Sequence, residues 1–134
     1  MKTTSLALAG VAASLFAFPA LAHHSFAMFD HNIVSNISGT VKEFEWINPH
    51  GWLHIAVMDE RGQPVTWSFE MGSVGQMVRD GWKQDTVNAG DNISVAFHPL
   101  KDGSHGGQLR IATLPGGQQI CQGNQCGNAE GGGE

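Results

Sequence analysis

Apolar and polar residues alternate through much of this chain, and the alternation marks strands. Leu53, Ile55 and Val57 alternate with Trp52, His54, Ala56 and Met58, the two-residue period of a strand with one face inside and one outside. Asp59-Glu60-Arg61-Gly62 follows as a turn, after which Val65, Trp67, Phe69 and Met71 alternate with Thr66, Ser68 and Glu70. Two such runs joined by a short polar turn predict an antiparallel hairpin. Upstream, the run from Ser38 to Trp46 carries Val41 and Phe44 off strict alternation. That pattern predicts a strand with a bulge or strong bend, and Gly39 suits the bend. Asn48-Pro49 breaks the run before Gly51.

Between Gly72 and Lys83 the period changes. Val74, Met77, Val78 and Trp82 fall at three-to-four spacing, which predicts a short helix capped by Ser73 and ended by Gly81. Asn88-Ala89-Gly90-Asp91 is a turn, and Ile93, Val95 and Phe97 alternate with Asn92, Ser94 and Ala96 up to His98-Pro99. A polar loop from Lys101 to Gly107 precedes a last strand, Leu109 to Leu114, closed by Pro115-Gly116-Gly117. Three strands, one helix and two strands predict a mainly β fold: a small five-stranded barrel of the oligonucleotide/oligosaccharide-binding (OB) type, with its helix between strands 3 and 4. A β-sandwich is the alternative, but it takes about seven strands and no helix. Closing the sheet removes edges that a small domain would otherwise expose.

The chain ahead of this domain reads as an export signal. Lys2 is followed by an apolar run from Leu6 to Phe18, Pro19, and small residues at Ala20 and Ala22, the pattern signal peptidases read. The run falls short of the roughly 20 apolar residues a membrane span needs. Residues 1–22 are therefore expected to be removed, leaving no later span and placing the protein in the periplasm or outside the cell. The barrel with an N-terminal arm is assigned to residues 23–117. The glycine-rich tail 118–134 is expected to be disordered apart from a loop closed by a Cys121–Cys126 disulfide, which an oxidising compartment favours.

Charge and composition narrow the partners. Seven basic side chains stand against twelve acidic ones, a formal net charge of −5, and loss of Lys2 makes the remainder one unit more negative. Without a basic patch the chain is a poor nucleic-acid binder. Ser25, Ser68 and Ser73 lack a nucleophile elbow, Glu70 and Asp91 have no defined pairing, and there is no phosphate-binding loop or dinucleotide fingerprint. Catalysis is not indicated.

Histidine is the exception. All seven histidines lie beyond residue 22, and cleavage after Ala22 would make His23 the first residue. Its free α-amine and imidazole can chelate one ion, and a nitrogen-rich set of this kind suits Cu(II). His24 adds an imidazole beside it. Among possible completing ligands, His50 follows the Asn48-Pro49 turn at the expected barrel rim, and His54 lies on the polar parity of its strand. His31 in the arm and His98 at the end of the fourth strand are further candidates. Trp52 and Glu70 are candidate contacts to a small molecule, an envelope sugar or a protein partner, with no metal needed.

His23-His24-Ser25-Phe26, Trp46-Ile47-Asn48-Pro49-His50, Glu70-Met71-Gly72-Ser73, Gly81-Trp82 and Gly90-Asp91 together resemble a family of small exported bacterial proteins known as domain of unknown function 6152. The resemblance runs from about His23 to Leu114. It implies export and a compact β-barrel, and it supplies no catalytic or binding residue. The expected function, copper or other transition-metal binding through His23, His24, His50 and His54, comes from residue chemistry alone.

Overall fold

A computed structural model of the chain describes residues 24–123. The expected signal, residues 1–22, lies outside them, as do His23, Cys126 and the rest of the tail from residue 124. The elements run in the order α1 (His24–Ala27), β1 (Ser35–Glu45), β2 (Trp52–Met58), β3 (Pro64–Glu70), α2 (Val74–Arg79), β4 (Asn92–Pro99), β5 (Gly106–Thr113) and β6 (Gln119–Cys121).

The fold is mainly β, a closed five-stranded barrel with one short helix between β3 and β4. Its strands lie in the order β3-β2-β1-β4-β5, and a β3–β5 pairing closes the circle. That last pair is parallel, joining Ser68, Phe69 and Glu70 to Gly106, Gly107 and Gln108; the other pairs are antiparallel. The bend expected in β1 is present, as a register shift between Val41 and Glu43 against β2. It lets one strand pair β4 with its first half and β2 with its second, which is how a short sheet curls shut.

Closure also needs a strand with no side chain in the way. A Cβ on Gly107 would run into the His98 carbonyl oxygen and come within 2.6 Å of the Phe97 ring, and one on Gly106 would run into the Ser68 carbonyl oxygen. β5 therefore starts at Gly106, earlier than its apolar residues announce, because glycine lets three strands meet.

β6 departs from the expected tail. Gln119, Ile120 and Cys121 pair with Thr113, Ala112 and Ile111, covering the stretch of the β5 edge that β3 does not reach. An unpaired edge is a site for wrong pairing, so this short strand has a protective place. Trp82 Nε1 donates to the Cys121 carbonyl at 2.7 Å, and Asp80 Oδ2 accepts from Gln122 Nε2 and from the Gly123 N–H, each at 2.6 Å.

The inward faces form the core. Leu53, Ile55, Phe69, Val95, Leu109 and Ala112 are almost wholly buried, joined by Met77 of α2 and by Trp82. Each large apolar side chain so buried contributes roughly 1.5–3 kcal/mol. At six residues α2 is too short to be stable alone. It is held by Met77 in the core and by Ser73 Oγ, which accepts from the Gln76 N–H at 3.2 Å.

The arm packs on the barrel. Phe29 is buried and bridges to Leu100, the Asp30 N–H donates to the Pro99 carbonyl at 2.9 Å, and the Lys101 N–H donates to the Met28 carbonyl at 2.9 Å. None of the described helices is long and apolar enough to cross a membrane.

Candidate functional site

Alternation along β2 and β3 puts their polar residues on the outside of the barrel. In the hairpin Trp52 pairs with Glu70 and His54 with Ser68, while on the other side Trp52 pairs with Glu45 of β1 and Glu70 with Gln108 of β5. Gln108 in turn pairs with His98 of β4. Directly paired residues share a face, so Glu45, Trp52, Glu70, Gln108 and His98 form one row around the barrel's outside.

His50 stands just before β2. The strand pairing continues past the hairpin through the Gly51 N–H to the Gly72 carbonyl and the Met71 N–H to the Gly51 carbonyl, both 2.9 Å. The preceding turn is tied to α2 by Asn48 Oδ1, which accepts from the Val74 N–H at 3.0 Å. These contacts hold the His50 ring at the rim. Its Nδ1 donates to the Met71 carbonyl at 3.1 Å and lies 3.4 Å from Glu70 Oε1; the His50 side chain is 45% exposed and that of Glu70 9%. A carbonyl can only accept, so the proton sits on Nδ1 and the outward Nε2 keeps its lone pair when the ring is neutral. Metal-binding imidazoles are commonly held in this way, one nitrogen tied behind and the other presented.

His54 is different. Its Nε2 donates to Glu45 Oε1 at 2.8 Å and its Nδ1 accepts from Ser68 Oγ at 2.8 Å. Both ring nitrogens are engaged, and a metal here would have to displace one partner. The Trp52 ring lies nearly parallel to His54, 8° between planes and 6.3 Å between centroids.

A second group of rings, weighted low on sequence grounds, lies where the arm meets β4. His98 is buried, 6% exposed, and its Nδ1 donates to the Ile33 carbonyl at 2.7 Å. His31 presents its ring to His98 with centroids 4.9 Å apart, stacks on Phe26 at 3.9 Å, and donates from Nε2 to the Phe26 carbonyl at 3.0 Å. Periodicity cannot find such a pair, because the arm has no regular period. His105 packs against Trp67 instead, 5.0 Å between centroids.

Of the residues expected to bind metal, His50 and His54 thus lie on the same side of the hairpin, and His23 and the His24 side chain lie outside the described residues. Trp52 and Glu70, the expected ligand contacts, are direct cross-strand neighbours. Among the described residues no group of three or more His, Cys, Asp or Glu is arranged to hold a metal ion. Cys121 is a half-cystine at the end of β6.

No curated protein and no solved structure matches the chain. Residues 11–110 match the model of a family of unknown function (DUF6152), a span that covers most of the barrel and all the rim residues above, and the chain belongs to that family.

Proposed function

We propose that this is an exported, periplasmic binding protein that holds copper, or another transition metal, between its processed N-terminus and His50. His23 supplies the α-amine and its imidazole, His50 a second imidazole, and His24 a supporting contact. The observation that carries the reading is the state of His50: an exposed ring whose Nδ1 is tied to Met71 in front of the buried Glu70 carboxylate, leaving Nε2 for an ion. The arm meets the barrel at His98, two strands from Glu70 in the row His98, Gln108, Glu70, about 10 Å at ordinary strand spacing.

Titration of Cu(II) into protein beginning at His23, and into the same protein with four glycines added ahead of it, tests the reading. The extension turns the His23 amine into a peptide amide, keeps both histidines away from the third position of the chain, where a histidine would itself chelate copper, and should lower affinity at least tenfold. His50→Ala should do the same. Equal affinity in all three forms rejects the shared site.

A second reading is a metal-free module that binds a small molecule or an envelope protein on the Trp52–Glu70 face. It is favoured by the rigidity of that face, where His54 is held from both sides and the Trp52 ring lies parallel to it. It stands if copper binds with no preference for the bare terminus and Trp52→Ala abolishes capture of a ligand from periplasmic extract.

A further inference from the structure

We propose a second transition-metal seat, formed by His31 and His98 where the arm lies on β4. It is independent of the reading above, because it uses neither the chain terminus nor His50.

His98 gives its Nδ1 proton to the Ile33 carbonyl at 2.7 Å, and His31 gives its Nε2 proton to the Phe26 carbonyl at 3.0 Å. Among the described residues neither His98 Nε2 nor His31 Nδ1 has a hydrogen-bond partner. Two neutral imidazoles in these tautomers therefore each keep one lone pair. Backbone carbonyls behind the rings are the outer support that metal-binding histidines use to fix tautomer and orientation.

The spacing fits an ion. A zinc or copper ion sits about 2.0–2.1 Å from an imidazole nitrogen, hence about 3.2 Å from the ring centre, so imidazoles on adjacent coordination positions have centres about 5 Å apart. The observed separation is 4.9 Å with planes 65° apart. His98 is 6% exposed, so one of the two ligands is held within the fold.

Imidazole donors select borderline ions such as Zn(II), Ni(II) and Cu(II) over Mg(II) or Ca(II). Two protein ligands leave the remaining positions to water. The nearby charges oppose each other: Asp30 follows the strand at Pro99, its carboxylate accepting from the Asn32 N–H at 3.1 Å, and Lys101 Nζ donates to the Ala27 carbonyl at 2.9 Å. An ion bound here would tie the arm to the barrel, since one ligand belongs to each.

The test uses the full exported chain with four glycines ahead of His23 and with His50→Ala, so that the proposed terminal site is disabled. Zn(II) is added while imidazole nitrogens are followed by long-range nitrogen–proton correlation spectra. His98 Nε2 and His31 Nδ1 should shift together at one equivalent, His105 should not, and the thermal midpoint should rise. His31→Phe, which keeps a ring against Phe26, should weaken zinc binding at least tenfold. Absence of a shift at either ring up to millimolar zinc overturns the proposal, as does a His98 response that persists unchanged in His31→Phe. The spectra of the chain with both rings intact remain decisive if that variant does not fold.

Discussion

His54 Nε2 lies 2.8 Å from Glu45 Oε1, across the β1–β2 pair, and a metal at this outward-facing histidine would have to displace that bond. Its other nitrogen accepts from Ser68 at 2.8 Å, so the ring joins three strands on the barrel's outside. Glu45→Ala should cost about 1 kcal/mol in urea unfolding, the usual value of a partly exposed hydrogen bond. Copper affinity should stay within twofold in His54→Ala while His50→Ala lowers it at least tenfold. A larger loss in His54→Ala than in His50→Ala would overturn His50 as the imidazole ligand.

Closure of the barrel gives two glycines opposite responses. Gly107→Ala drives a methyl group into the His98 carbonyl and the Phe97 ring and should destabilise by about 3 kcal/mol or more. Gly75 lies in α2, where a Cβ meets nothing closer than the Arg79 guanidinium at 3.6 Å, so Gly75→Ala should stabilise by about 0.5–1 kcal/mol. Thermal or urea unfolding reads both, and equal signs would refute the packing described for β5.

The strand beyond residue 117 should matter for stability. Trp82→Phe removes the Nε1 donor to the Cys121 carbonyl and part of a buried ring, and should cost about 2 kcal/mol. Truncation after Gln118 removes that bond, the β5–β6 pairing and both Gln122 and Gly123 contacts to Asp80, and should cost more than Trp82→Phe. A truncated chain as stable as the full one would show that β6 is dispensable.

Copper binding at the proposed terminal site should weaken as pH falls. The α-amine must lose its proton to bind, and its ordinary pKa of about 8 lies above neutrality. Protons thus compete with the ion increasingly below that pH. Affinity measured from pH 8 to pH 6 should fall steadily for protein beginning at His23, and by a smaller factor when four glycines precede it.

Much of the barrel was legible because strand alternation is a local signal. Leu53, Ile55, Phe69, Val95 and Phe97 are inside as their parity requires, and Ser73 caps α2 as its position before the helical run requires. The ends of β5 and the existence of β6 were not legible. Gly106 and Gly107 carry no side chain to show a period, and three residues pairing with one edge leave no pattern of their own. At the rim, sequence put His50 ahead of His54 on the strength of its proline turn, but it could not show that Glu45 and Ser68 hold the His54 ring.

By itself the order of residues determined the strand–strand–strand–helix–strand–strand plan, the faces of the strands and the short list of nitrogen donors, since each depends on neighbours a few positions apart. Tertiary structure alone decided which donors are spent. His54 is consumed by Glu45 and Ser68, His50 is backed by Met71 and Glu70, and His31 meets His98 across an arm-to-barrel contact. The physical reason is that a ring nitrogen's lone pair depends on the atom placed within about 3 Å of it, and that atom comes from a part of the chain that local pattern does not reach.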